Sequence, residues 1–237
     1  MSEELFELPS DYDGMLNRGL RLSGESKEYF ARGRIAMLRR LLPDAGAIRD
    51  ILDFGCGVGA TTPLLAAAFP SARILGLDSA QGAIDHARQH HADERTRFGL
   101  FEGASLDQTF DLCYVNGVFH HIPPPQRADV IRFLHKAIRP DGYFAWFENN
   151  PWNPGTRMVM KRIPFDRDAQ TISIPHASRV LRAGGFSVQR RRSIFFFPRW
   201  LSWLRWLEPI LAPTPLGGQY IVLARRTSTP RNERPPC

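Results

Sequence analysis

The run Ile51-Leu-Asp-Phe-Gly-Cys-Gly-Val-Gly-Ala-Thr-Thr62 restricts this chain more than any other stretch. Apolar residues lead into Asp53, glycines follow at 55, 57 and 59, and Pro63-Leu-Leu-Ala-Ala-Ala-Phe69 reads as a helix. A buried strand, a glycine turn and a helix start, in that order, make a nucleotide-binding element. Glycine permits torsions and a close backbone approach that a Cβ blocks, and the helix start offers N–H groups to a ligand. Gly-x-Gly-x-Gly with an acid two residues before it differs from the dinucleotide fingerprint Gly-x-Gly-x-x-Gly. A carboxylate at Asp53 repels a pyrophosphate and suits a ligand that carries an ammonium group.

Three further stretches keep step with the first. Arg73-Ile-Leu-Gly-Leu-Asp78 is a second apolar strand ending in an acid, placed to accept both ribose hydroxyls of an adenosine. Phe110-Asp-Leu-Cys-Tyr-Val-Asn116 runs on to Val118-Phe-His-His-Ile122, and Ile138-Arg-Pro-Asp-Gly142 precedes Tyr143-Phe-Ala-Trp-Phe-Glu148. Together the four resemble motif I and the later strand ends of the class I S-adenosylmethionine (SAM) methyltransferases, across residues 48–226. The resemblance implies an α/β, Rossmann-like three-layer sandwich around a seven-stranded, mostly parallel sheet whose last strand is antiparallel. It also implies SAM as cofactor and S-adenosylhomocysteine as product. The implied cofactor residues are Asp53, Gly55, Cys56 and Gly57 in the first turn, Asp78 and Ser79 at the second, and Asn116 and Phe119 after the fourth strand. At the third strand the chain departs from the family, with Glu102-Gly-Ala-Ser105 where Gly-Asp-Ala is usual. Gly103 and Ala104 are assigned to the adenine there, with Glu102 or Ser105 as the hydrogen-bonding partner.

The organisation follows from pattern. Residues 1–45 are expected to form an N-terminal cap and a lid helix, capped by Ser26 and running from Lys27 to Leu42. Tyr29 and Arg34 on that helix are candidates for the cofactor carboxylate, or else ordinary helix surface. Strands are expected near 50–54, 73–78, 96–101, 111–115 and 142–148, and helices near 60–68, 80–90 and 125–138. That alternation argues a parallel sheet covered on both faces, with ligands at the carboxyl ends of its strands. The domain, 46–226, carries a partly helical insertion at 149–175, a helix at 176–183, and a closing hairpin of strands near 187–195 and 219–225. The tail, 227–237, is expected to be disordered.

Between the hairpin strands lies an aromatic segment, 195–211. At 100° per residue, Trp200, Trp203, Leu204, Trp206, Leu207, Ile210 and Leu211 share one face of a helix, opposite Arg199, Ser202, Arg205 and Glu208. That face is expected to be buried, on its own domain or in a homodimer. The other readings are a peripheral membrane contact through 199–211 and a wall for the substrate.

Charge and cysteine content narrow the setting. Residues 179–237 hold eleven arginines against Glu208 and Glu233, whereas the rest of the chain is slightly acidic. That basic third fits an anionic partner or a solvated arginine face. Cys56, Cys113 and Cys237 form neither a disulfide framework nor a Cys-x-x-Cys metal site. No apolar run is long enough to span a membrane, and the acidic N-terminus lacks a signal peptide's apolar core. The expected location is cytoplasmic.

Methyl transfer from a sulfonium is an in-line displacement, so placing the acceptor in a dry cavity is most of the task. His120, His121 and Glu148 are expected at the rim of that cavity. His121 is the favoured catalytic base, and Glu148 is a second catalytic candidate or, with Asn150, a holder of substrate. Base-modifying aminomethyltransferases carry Asn/Asp-Pro-Pro-aromatic where this chain has Asn116-Gly-Val-Phe119, which argues against a nucleic-acid base as acceptor. One rim carboxylate is too few for a metal of the catechol-type enzymes, so no metal is expected. A small-molecule or lipid- or sugar-linked acceptor is the expected substrate. The alternatives are an RNA or DNA methyltransferase and a SAM-binding protein without catalysis.

Overall fold

The computed structural model describes residues 23–163 and 169–227. Most of the expected N-terminal cap, the Pro164–Arg167 part of the insertion and the tail beyond Thr227 lie outside the described residues. Among those described, β1 (Asp50–Phe54), β2 (Arg73–Asp78), β3 (Thr96–Leu100), β4 (Phe110–Asn116), β5 (Ile138–Asn149), β6 (Phe186–Ile194) and β7 (Gln219–Arg226) form one sheet. Its order is β3-β2-β1-β4-β5-β7-β6. β1 lies parallel to both β2 and β4, and β7 runs antiparallel between β5 and β6. Chain order reverses direction between β1 and β4, the place where an open parallel sheet leaves a crevice at its carboxyl edge.

Successive residues of β1 serve opposite faces, which explains its unbroken buried run. Leu52 and Phe54 join Val115, Phe144 and Trp146 under α4 (Pro124–Ala137) and α6 (Ile174–Ala183). Ile51 joins Leu112, Tyr114, Ala145 and Phe147 under α1 (Lys27–Leu41) and α2 (Thr62–Ala68). α3 (Gln81–His91) covers β3 through Ile84, Ala87 and Phe98. Ser26 caps α1 as expected, its hydroxyl accepting from the Tyr29 N–H at 3.1 Å. Gly33, in the middle of α1, leaves room for the Phe195 ring, which would meet a Cβ there at 2.5 Å. The insertion is partly helical, as α5 (Pro154–Arg162), capped by Asn153.

Two expectations fail locally. The fifth strand, expected near 142–148, begins at Ile138, and residues 138–142 form a bulge inside it. Pairing passes from Phe110–Ile138 directly to Leu112–Tyr143, with Asp141 at φ +66°. The second failure is the aromatic segment, which is not one α-helix with a buried tryptophan face. It forms a 3₁₀ helix, Arg199–Leu207, kinked at Leu201, and then the single turn α7 (Glu208–Leu211). At three residues per turn, side chains three apart eclipse one another. Trp200, Trp203 and Trp206 therefore form one row, and they are 71%, 70% and 69% exposed. Leu201, Leu204 and Leu207 form a second, half-buried row. The third row is anchored: Arg205 pairs with Glu25 at 2.7 Å, and Glu208 accepts from the Phe196 and Phe197 N–H groups.

At the sheet's opposite edge, Arg139 joins two acids, reaching Asp111 at 2.6 Å and Asp50 at 2.9 Å. Burial alone would raise the Asp111 pKa, but the Arg49 N–H and the Arg139 guanidinium hold it below the usual carboxylate value. A depressed carboxylate stabilises the fold above its unfolded pKa and ceases to do so as pH falls through the folded one. Arg139→Ala should therefore cost about 1–2 kcal/mol near neutral pH. The loss should shrink toward about pH 3, as read by urea titrations at both pH values.

Candidate active site at the carboxyl ends of β1 and β4

The glycine turn is built by conformations that side chains resist. Gly55 has φ +74°, and a Cβ there would lie 2.2 Å from the Val118 methyl. The Gly55 and Cys56 N–H groups both donate to the Leu77 carbonyl, at 2.7 and 3.1 Å, which ties the turn to the end of β2. The Gly57 N–H donates to the Asp78 carboxylate at 2.8 Å, and the Ala80 N–H binds its other oxygen at 3.0 Å. Gly57, at φ +53°, has nothing within 4 Å of the place a Cβ would occupy. A ligand can thus approach the backbone there.

In front of the turn lies a cavity of about 1010 Å³. Of the residues singled out from sequence, Tyr29, Arg34, Gly55, Cys56, Gly57, Asn116 and His121 line it. Arg34 is buried in the wall, its Nε donating to the Tyr114 hydroxyl at 3.2 Å and its Nη1 to Gln219 Oε1 at 3.0 Å. It is thereby a fixed cation, not the helix surface that was the other reading. The Tyr29 ring lies 4.7 Å from the Arg205 guanidinium and 5.9 Å from the Phe195 ring, joining α1 to the aromatic segment. Phe195, Phe196 and Phe197 from that segment, and Met158 to Met160 from the insertion, supply the apolar wall.

Asp53 and Asp78 stand behind the turn and not on the cavity wall. Asp53 is buried and accepts from the Thr62 hydroxyl at 2.8 Å. Burial pushes its pKa up to about 7; the Thr62 bond and the Arg34 charge oppose this, and Asp78 adds to it. Burial likewise pushes the Cys56 thiol far up, so Cys56 is a structural thiol and not a nucleophile. Ser79 is exposed beside Asp78, and Gly103 and Ala104 lie in the turn after β3; none of the three reaches this cavity.

Two assignments need correction. Phe119 does not face the cavity; it is fully buried, 4.2 Å from the Trp146 ring centre, because the turn after β4 folds it into the lower core. Glu148 is not at the rim either: it is 1% exposed, within the end of β5. Its Oε1 accepts from the Phe119 N–H at 3.0 Å and from Trp146 Nε1 at 3.3 Å, and its Oε2 lies 2.5 Å from His120 Nδ1. A carboxylate held this way fixes the Nδ1–H tautomer of a histidine and stabilises its protonated form. His120 and the exposed His121 both line the cavity, with ring centres 4.1 Å apart. The sequence reading overlooked His120 as the oriented imidazole. The available signal was Glu148 at the end of the strand neighbouring β4.

Strand order, glycine turn and cavity define a Rossmann-like fold that opens its ligand site at the first strand crossover. A family profile described as a methyltransferase domain matches residues 52–144. Over those residues the chain is similar to methyltransferase domains, and its fold is shared with solved SAM-dependent methyltransferases. It is 30% identical over 135 residues to a malonyl-[acyl-carrier protein] O-methyltransferase of Acetivibrio thermocellus, covering 54% of this chain and 47% of that protein. It is 32% identical over 105 residues to a trans-aconitate 2-methyltransferase of Variovorax paradoxus, covering 44% and 39%. The chain thus spans about half or less of the length of these curated relatives. Among solved structures, a SAM-dependent methyltransferase from Mesorhizobium loti superposes with TM-score 0.60 at 21% identity, over 81% of this chain and 96% of that one.

The position of Asp53 generates a pH prediction. The unfolded chain releases this proton near the ordinary carboxylate value of 3.8, while burial makes the folded chain keep it to about 7. Wild-type stability therefore falls, through this group, as pH rises across that window. Asp53→Asn keeps a partner for Thr62 but cannot ionise. Its stability relative to wild type should rise by on the order of 2 kcal/mol from pH 5 to pH 8, measured by chemical denaturation. A pH-independent difference would place the Asp53 pKa outside that window.

Proposed function

We propose that this chain transfers a methyl group from SAM to a small-molecule or lipid- or sugar-linked acceptor, without a metal, in a cytoplasmic setting. One observation carries the reading. The glycine turn and the His120–Glu148 pair open onto a single cavity of about 1010 Å³. That is the top of the range for single-ligand sites, about 300–1,000 Å³, and leaves room for cofactor and acceptor side by side.

The cavity wall fits the cofactor. Gly57 leaves the gap a Cβ would fill, and Asp78 lies beside it with a carboxylate suited to ribose hydroxyls. Arg34 offers a buried cation to the amino-acid carboxylate, with Tyr29 closing that end, while Asp53, once ionised above about pH 7, adds negative potential behind the turn for the ammonium group. When bound, SAM supplies an electrophilic methyl carbon on a neutral leaving group. Asn116 and the β4 exit then position the acceptor, and Phe195 to Phe197 and Met158 exclude water from it. His120 takes the acceptor's proton, its imidazolium stabilised by Glu148; His121 sits at the mouth and contacts substrate.

The acceptor class rests on the apolar wall, and two relatives bear names of small acyl or acid substrates. Among the described residues no group of three His, Cys, Asp or Glu side chains is placed to hold a metal, and the proposed chemistry requires none. The basic C-terminal third motivates the nucleic-acid alternative, which would show as tight, strongly salt-dependent binding to tRNA or duplex.

Calorimetric titration should show SAM binding that Asp78→Ala weakens at least about tenfold; binding weaker than about millimolar, unaffected by the substitution, would overturn the reading. S-adenosylhomocysteine release in fractionated cell extract should identify the acceptor. His120→Ala should lower kcat by about 10²–10⁴ with SAM affinity preserved, and Glu148→Gln should shift the acidic limb of the kcat–pH profile. Loss in His121→Ala equal to that in His120→Ala would reassign the base.

A further inference from the structure

The row Trp200–Trp203–Trp206 is left without a role by the chemistry above. A buried face was the economical expectation, yet all three indoles are about 70% exposed, and Ile210, in the single turn α7 that follows, is 69% exposed. An indole carries about 150–250 Å² of surface, so the row forms a contiguous apolar patch of the size that marks an interaction site.

The patch is continuous with the mouth of the cavity. Trp200 lines that cavity, as do Phe196, Phe197 and Met158, and Met158 is itself 52% exposed on α5. On the side of α5 and the aromatic segment the exposed charges are cations, whereas Glu25 and Glu28 lie on the α1 side of the cavity. α5 carries Arg157, Lys161 and Arg162, all exposed, and no acid. In the aromatic segment Arg199 is exposed, while the acid Glu208 is turned inward to the Phe196 and Phe197 N–H groups. Beyond α5, the exposed Trp152 shares a small cleft with Arg191 and Arg192. Tryptophans interleaved with cations, and little exposed leucine, are what an interfacial element uses: indoles settle at the headgroup level and arginines meet anionic lipid. A face built to bury a second copy of this chain would carry its charges in matched pairs, and the exposed charges of α5 and of the tryptophan row's own segment are all cations.

We propose that the protein docks on an anionic bilayer surface through the Trp200–Trp203–Trp206 row and the cations beside it. The cavity mouth then opens onto the headgroup layer. Given the methyl-transfer reading above, on which this step rests, the acceptor is a lipid-linked molecule that reaches His120 from the membrane without crossing water. Among the described residues no helix is long and apolar enough to cross a membrane, so the contact is a surface one. It places the aromatic segment in both roles that the sequence left open, membrane contact and substrate wall.

The test sediments the full chain with vesicles of phosphatidylcholine alone and of phosphatidylcholine with phosphatidylglycerol. Wild type should co-sediment with the anionic vesicles, less so at high salt, and weakly with the neutral ones. Trp203→Ser with Trp206→Ser changes residues outside the cavity wall. It should lower the vesicle partition at least about tenfold while leaving the melting temperature and SAM affinity unchanged. Wild type remaining in the supernatant, or the double variant partitioning like wild type, overturns the proposal. So does a self-associating wild type that the double variant makes monomeric, with no vesicle binding by either. Calorimetry with SAM on the same preparation keeps the two readings apart. Vesicle binding without SAM binding would sink methyl transfer and leave the docking surface standing.

Discussion

Two N–H groups converging on one carbonyl hold the site together. Gly55 and Cys56 both donate to Leu77, and that pair of bonds forces the chain leaving β1 to double back across the end of β2. Only glycine suits position 55, because of its torsion and because Val118 fills the space above it. From this constraint the rest follows in order. Gly57 is delivered to Asp78, the start of α2 is aimed so that Thr62 reaches Asp53, and the turn after β4 is pinned against the first turn through Val118. A sheet whose strands met in another order would separate these groups.

The polar pairs behind the cavity illustrate how a buried charge is tolerated. Burial makes Asp53 hold its proton to about 7, and among the described residues its side-chain hydrogen-bond partner is the Thr62 hydroxyl. Glu148 has two N–H donors and an imidazole, a set that satisfies the carboxylate without exposing it. The contrast separates their uses. Asp53 is tied to the start of α2 through Thr62, whereas Glu148 holds the His120 ring through Nδ1.

The aromatic segment shows what a change of helical pitch does. Under an α-helical period, tryptophans and leucines share one wide face, which belongs in a core. At three residues per turn they separate into two rows: the leucines take the packing side and the tryptophans are turned outward. The switch is driven from outside the helix. Glu208 is drawn to the Phe196 and Phe197 N–H groups, and Arg205 to Glu25 and the Phe197 carbonyl, clamping the segment across a short span.

The sequence by itself determined the sheet and its ligand edge, because their signals are local. Apolar runs ending in Asp53, Asp78 and Asn116, a glycine triplet and helix-start residues such as Ser26 each act within a few neighbours. The glycine turn and the acids beside it were legible for the same reason. Three matters were decided only by tertiary structure. Whether His120 or His121 is the oriented imidazole depends on Glu148, 28 residues away in sequence and one strand over. Whether Phe119 lines the site or fills the core depends on the room beside Trp146. Whether the tryptophans are buried depends on the pitch imposed by contacts to Glu25 and to the Phe195–Phe197 backbone. In each case partners distant along the chain set the outcome, and spacing within one segment carries no information about them.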